Sequence, residues 1–342
     1  MSTTQTMLDH IHAIRTAVTA RPTHCRGTCE VPNDLLHLFY SKNAEDNQCS
    51  RINLSAASTD ELAALASACQ PATFGRNQEN VLDETYRKAG KMDRSDFATL
   101  FHPGDIGLGP IIQNSLLCSD REFTMELYKL NVYGEGSFFK PHCDTPRSGS
   151  MFGSLVIVFP TPHEGGDLVL RHDGKESTID FSDMFADGSQ LSVGYIAFYS
   201  DVEHEVMPVK AGHRVTLTYN LYFNNLVSVV PHPTETEARL RTSISALVSD
   251  PTVLPDGGYL AFGLQHKYPL EANNYAWVVK RYLKGADEIL ARACTALKLD
   301  WSARIFYDDF FDLGAGDAFA DEVVSHNSQL EDVYELNDIS AN

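Results

Sequence analysis

The sequence predicts a mainly β protein, a sandwich or barrel of short strands with helical segments on either side. Two observations carry this. From Phe123 onward, runs rich in Val, Ile, Tyr, Phe and Thr recur at short intervals, giving expected strands at Met125–Tyr133, Phe152–Phe159, Gly166–Arg171, Ser177–Phe181, Leu191–Phe198, Glu205–Val209 and Arg214–Phe223. Turn-forming pairs separate them, among them Gly134-Glu135-Gly136, Asp173-Gly174, Asp187-Gly188 and Ala211-Gly212. The expected core therefore spans residues 121–225.

The flanks read differently. Residues 1–120 are expected to be mixed helix and loop packed on that core. Met7, Ile11, Ile14 and Val18 recur at helical spacing until Pro22 ends the segment. Thr59, Asp60 and Glu61 open a second helix, with Leu62, Leu65 and Cys69 on one face. Glu84–Leu100 reads as partly helical. Val230-Pro231-His232-Pro233 reads as a linker into an α/β extension over residues 226–342. That extension shows helices at Glu235–Leu247 and Ala276–Leu297 (with a break), a strand near Tyr259–Leu264 and an acidic end.

Composition narrows the function. The chain has 342 residues, 43% of them hydrophobic, so a sizeable core is affordable in length. Its formal net charge of −19 repels polyanions at long range, so neither nucleic acid nor an anionic membrane is an expected partner. No signal-peptide pattern opens the sequence, and Leu155–Phe159, its most apolar short run, is far below a membrane span. The expected location is intracellular and cytoplasmic. Seven cysteines do not suggest a disulfide framework. His24 beside Cys25-x3-Cys29 raises a zinc site only weakly, because no second pair follows at finger spacing.

Pro141-His142-Cys143-Asp144 carries the chemistry. On an extended segment, positions two apart share a face, so His142 and Asp144 can reach one metal. The pair alone means little: 13 histidines among 46 acidic residues in 342 give about two such pairs by chance, and the chain holds one. Its sequence context matters more. His204 follows Asp144 by 60 residues, and Arg214 follows His204 by ten. Together His142, Asp144 and His204 make a two-histidine, one-carboxylate set, the facial arrangement of non-haem iron(II) oxygenases. Alternation places Arg214, Thr216 and Thr218 on one face of their strand. A polar face inside a β-core needs a ligand or partner, and a dicarboxylate gripped by Arg214 and Thr216 supplies one. Asn131 and Tyr133 share a face of the preceding strand and are candidates for the opposite wall. Arg147, just past the metal pair, is a candidate substrate contact. His163 and His172 are expected in solvated turns, His213 and Cys143 in structural positions.

These residues resemble the catalytic core of the iron(II)/2-oxoglutarate-dependent oxygenase superfamily, in its prolyl 4-hydroxylase-like branch. The resemblance rests on His142-x-Asp144, His204 and Arg214. Tyr128-Lys129-Leu130-Asn131-Val132-Tyr133-Gly134, Phe159-Pro160-Thr161-Pro162-His163-Glu164-Gly165-Gly166, Ala72-Thr73-Phe74-Gly75 and Arg87-Lys88-Ala89-Gly90-Lys91 look like those of uncharacterised fungal-type members. The resemblance implies a double-stranded β-helix, a jelly roll with iron at one open end. It also implies a dioxygenase that hydroxylates an unactivated C–H bond while 2-oxoglutarate is decarboxylated to succinate and CO2. The implied cofactors are Fe(II), 2-oxoglutarate and O2, with ascorbate a further candidate. Halogenating relatives lack the carboxylate that Asp144 supplies, so hydroxylation or desaturation is expected. The substrate class stays open among small molecules, amino acids and peptides or proteins. Two other readings stand beside this one. Asn131-x-Tyr133 also looks like the AlkB-like demethylases, but their second arginine corresponds to Asn220 here. The other is a non-catalytic β-helix binding protein, which has no physical reason to keep the full ligand set.

Overall fold

The structure, a computed structural model, describes residues 3–19, 22–43, 46–76, 79–117, 119, 121–182, 191–224, 233–253, 255, 257–269, 276–307 and 318–320. Helix α1 (Thr3–Thr19) is followed by β1 (His24–Glu30), β2 (His37–Asn43) and β3 (Asp46–Asn53). After α2 (Thr59–Ala68) come six short strands: β4 (Gln70–Pro71), β5 (Phe74–Arg76), β6 (Glu79–Val81), β7 (Arg87–Lys88), β8 (Gly90–Asp93) and β9 (Phe97–Thr99). Beyond α3 (Leu108–Ile112) lie the core strands β10 (Phe123–Tyr133), β11 (Phe138–His142), β12 (Met151–Val158), β13 (His163–Gly165) and β14 (Leu168–His172). The core continues with β15 (Lys175–Ile179), β16 (Ser192–Tyr199), β17 (Glu203–Val206), β18 (Val209–Gly212) and β19 (Arg214–Phe223). Helices α4 (Glu235–Ser249), α5 (Ala276–Tyr282) and α6 (Gly285–Ala296) follow.

Two sheets build a jelly roll, the double-stranded β-helix. One is ordered β1-β16-β12-β19-β10-β8-β4, the other β15-β14-β17-β11-β7. Strands β12 and β16 are buried almost throughout, as central strands of near-continuous Val, Ile, Leu and Phe must be. β10 pairs with β19 in register, except that a bulge at Tyr128 separates Leu127↔Tyr219 from Lys129↔Thr218.

Helix α2 starts at Thr59 as expected, and Ser58 caps it: Ser58 and Glu61 exchange side-chain-to-backbone hydrogen bonds in a complete capping box. Leu62 and Leu65 are buried, as expected. Helix α1 packs against α4 and α6, where Ile14, Leu240, Ile244, Leu247, Ile289 and Ala293 form a second, smaller core. No helix among the described residues is long and apolar enough to cross a membrane.

Several expectations need correction. Among its described residues, the stretch before residue 120 holds nine short strands beside its helices, and β1, β4 and β8 join the main sheet. Glu84–Leu100 holds β7, β8 and β9 instead of a helix. Strands of two to four residues are too short to show alternation, and the core strands beside them provide their pairing. The expected strand at Glu205–Val209 is split, with β17 ending at Val206 and β18 starting at Val209. Tyr259–Leu264 is not a strand. Cys25 and Cys29 lie on β1, four residues or roughly 13 Å apart along a strand, too far to share a zinc ion. Val230–His232 of the expected linker and the acidic end beyond residue 320 lie outside the described residues.

Candidate metal and cosubstrate site

His142 ends β11 and faces His204 directly across the antiparallel pair with β17. Their ring centroids lie 4.1 Å apart. Asp144 follows two residues on, and its Oδ1 comes within 3.9 Å of His204 Nε2. One donor atom from each of the three lies within 4.8 Å of the others.

The remaining polar atoms are all held from behind. His142 Nδ1 lies 2.8 Å from Lys140 O, and His204 Nδ1 lies 3.0 Å from Val202 O. A carbonyl only accepts, so both Nδ1 atoms carry a proton and both Nε2 atoms are turned toward the shared point. Ser154 Oγ donates to Asp144 Oδ2 at 2.5 Å, which leaves Oδ1 free. Phe139 stacks on the His142 ring at 3.5 Å and Phe198 abuts His204 at 4.7 Å, fixing both planes. Burial and the facing His204 push His142 well below the usual histidine range, so its imidazole is neutral at pH 7. Burial alone would raise Asp144, but its histidine neighbours, the Ser154 hydroxyl and the Lys129 ammonium outweigh it, and its pKa is lowered. Two imidazoles and one carboxylate, with the opposite side open to a cavity, fit iron(II).

That cavity, about 960 Å³, is lined by His142, Asp144 and His204 together with Asn131, Tyr133, Arg147, Arg214, Thr216 and Thr218. β10 and β19 bring two of these pairs directly opposite each other, Tyr133↔Arg214 and Asn131↔Thr216. Arg214 is 2% exposed, and its Nε and Nη2 have no hydrogen-bond partner among the described residues. Its guanidinium sits 5.7 Å from the Tyr133 ring centre and 5.9 Å from that of Phe181. Burial lowers its pKa, yet a guanidinium stays protonated, so this is a buried cation aimed at a space for an anion. Gly166, at φ 73°, lets it pass, since a Cβ there would lie 3.0 Å from Arg214 Cδ.

Other residues fall differently from expectation. Asn131 Oδ1 already accepts from Arg87 Nη2 at 2.8 Å, and its Nδ2 donates to Thr218 Oγ1 at 3.1 Å. Asn131 thus has little capacity left for a ligand. Arg147 is exposed at the cavity wall, bonded to the Tyr128 hydroxyl. Cys143 is exposed, not packed. His172 is not in a free turn; it stacks near His266 and belongs to a second cluster with Asp201. Sequence reasoning missed Arg87, Ser154, Tyr128 and Lys129. Lys129 was within reach of it, since alternation puts Lys129 on the face of Asn131 and Tyr133.

Residues 128–222 match the family model described as the 2OG-Fe(II) oxygenase superfamily. No curated protein matches the chain. Among solved structures, a prolyl-4-hydroxylase from Pseudomonas putida is 19% identical, covering 62% of this chain and 99% of that one, with a TM-score of 0.36. A prolyl hydroxylase from Trichoplax adhaerens, in complex with a hypoxia inducible factor peptide fragment, is 16% identical; 65% of this chain and 94% of that one align, with a TM-score of 0.34. A 2OG-Fe(II) oxygenase family oxidoreductase from Burkholderia pseudomallei is 17% identical over 49% of this chain and 80% of its own, with a TM-score of 0.30.

Proposed function

We infer that this chain, a 2-oxoglutarate-dependent dioxygenase by its 2OG-Fe(II) oxygenase core over residues 128–222, hydroxylates an unactivated C–H bond. The reaction is coupled to decarboxylation of 2-oxoglutarate, so that substrate, 2-oxoglutarate and O2 become hydroxylated product, succinate and CO2. Iron(II), when bound, supplies the O2 chemistry. His142 and His204 would hold it through Nε2 and Asp144 through Oδ1. Arg214, with Thr216 beside it, would take the distal carboxylate of 2-oxoglutarate, and Tyr133 would form the wall across from it. With Asn131 committed to Arg87 and Thr218, its role is to position that wall. The carboxylate of Asp144 fills the place a halide would need, which favours hydroxylation. Ascorbate would act only by keeping iron reduced.

One observation carries this reading. Three donors converge on one point of a cavity that also exposes the unpartnered nitrogens of a buried arginine. Succinate formation from 2-oxoglutarate by the iron(II)-loaded protein tests it. Turnover that vanishes with a chelator and in His142→Ala is expected. Failure of the purified protein to bind iron(II), or unchanged turnover in His142→Ala, would overturn it.

A further inference from the structure

The chain is strongly acidic, with a net charge of −19, yet its cavity is basic. Arg87, Lys129, Arg147 and Arg214 line it, against the carboxylates of Asp83 and Asp144. Iron(II) and 2-oxoglutarate carry equal and opposite charge, so loading both leaves the positive excess in place. Elsewhere, cations such as Arg171, Arg241, Lys284 and Arg292 sit against Glu or Asp. Arg87, Lys129 and Arg147 make no ion pair among the described residues.

Lys129 and Arg147 converge on one side chain. Lys129 Nζ lies 3.9 Å from the Tyr128 ring centre, and the Arg147 guanidinium carbon lies 4.2 Å from it. Arg147 also donates to the Tyr128 hydroxyl. The bulge at Tyr128 makes this possible: it turns Tyr128 into the cavity alongside Lys129, where an unbroken strand would present Leu127. A tyrosine ring attracts cations but carries no charge to neutralise two of them. Lys129 is only 8% exposed, and burial, the largest effect on it, depresses its pKa. Lys129 has the Tyr128 hydroxyl as a hydrogen-bond partner and feels the Asp144 carboxylate at longer range, but no acid pairs with it directly, so an arriving anion would offset the cost of its burial.

Position separates this cluster from the cosubstrate clamp. Along β19, Arg214 faces Tyr133, whereas Thr218, four residues or roughly 13 Å further on, faces Lys129. Asp144 is anchored near this second end, through Ser154, which pairs with Asn220. Arg214 and the metal account for both carboxylates of 2-oxoglutarate. Lys129 and Arg147 therefore remain for another ligand beside the metal.

We propose that the oxidised substrate carries a carboxylate, held by Lys129 and Arg147 around Tyr128. This rests on the dioxygenase reading above. The substrate thus belongs to the organic or amino acids, or to peptides presenting an acidic side chain.

Calorimetric titration tests it, using protein loaded with 2-oxoglutarate and nickel(II), which accepts the same donor types. The ligands are free and N-acetylated amino acids, each beside its amide, and hexapeptides containing Glu or Asp beside those containing Gln or Asn. At least one acid is expected to bind about 10- to 100-fold more tightly than its amide, the range for a charge-assisted contact. Lys129→Met and Arg147→Met should each erase that preference, while Arg147→Lys keeps it. Discrimination among the free acids identifies a small-molecule carboxylate, and discrimination only among the peptides identifies a side-chain one. No acid binding, equal binding of acid and amide, or a preference surviving both Met variants would overturn the proposal. Should 2-oxoglutarate itself fail to bind the nickel-loaded protein, the cosubstrate reading fails instead.

Discussion

His142, Asp144 and His204 bring two imidazoles and a carboxylate within 4.8 Å of one another, and so do His172, Asp201 and His266. The residue types are identical and the chemistry is not. In the first cluster, backbone carbonyls and Ser154 take the atoms that do not face the cavity, and the donor lone pairs converge on open space. In the second, the Asp201 carboxylate is already engaged by Lys284 Nζ at 2.7 Å, His266 Nδ1 at 3.1 Å and the Lys267 amide at 3.2 Å. Burial would raise Asp201, but His266 and Lys284 outweigh it and hold the carboxylate far below its usual range. A cation would have to displace the lysine ammonium. The first cluster therefore has the arrangement a metal site needs, whereas the second is a buried ion pair tying His266 and Lys284 to Asp201 in the loop before His204. What separates them is where the lone pairs point and whether they are spent.

Substitutions break this comparison in order of expected effect. His204→Ala should lower iron(II) affinity at least about 100-fold, the upper end for a residue that merely orients a ligand, and abolish succinate formation. Lys284→Met should leave iron stoichiometry unchanged but destabilise the fold by about 3–5 kcal/mol, measured by urea unfolding, because it strands a buried charge. Arg214→Met should weaken 2-oxoglutarate binding about 10- to 100-fold, read as a rise in its KM, by loss of charged hydrogen bonds. Ser154→Ala should cost about tenfold in iron(II) affinity, since Asp144 loses the contact that orients it.

Acid sharpens the same contrast. Asp201 has a lower pKa folded than unfolded, so the unfolded chain binds the proton first as pH falls. Its contribution to stability is complete well above about pH 3.9, the unfolded aspartate value, and is lost progressively below that. Unfolding at stepped pH should therefore show a shallower acid loss in Lys284→Met than in the wild type.

The sequence made the long elements legible and the short ones not. β10, β12, β16 and β19 are eight to eleven residues each, enough for alternation or a continuous apolar run to stand out. β4 and β7 are two residues long and exist only because β8 and β11 offer edges. Arg214 opens the long β19, whereas His142 and His204 lie on β11 and β17, five and four residues long, and stand out by residue type and spacing instead. Arg87 is different: it reaches Asn131 from 44 positions away, and no local pattern encodes that. Tyr128 was hidden for another reason. Strict period two puts it on the face away from Asn131, and only the bulge reverses it.

Anaerobic titration of the metal-free protein with iron(II) is the most direct measurement. One iron per chain is predicted, tightened by 2-oxoglutarate, lost in His142→Ala and retained in His266→Ala. Iron retained in His142→Ala, or lost in a folded His266→Ala, would contradict the account.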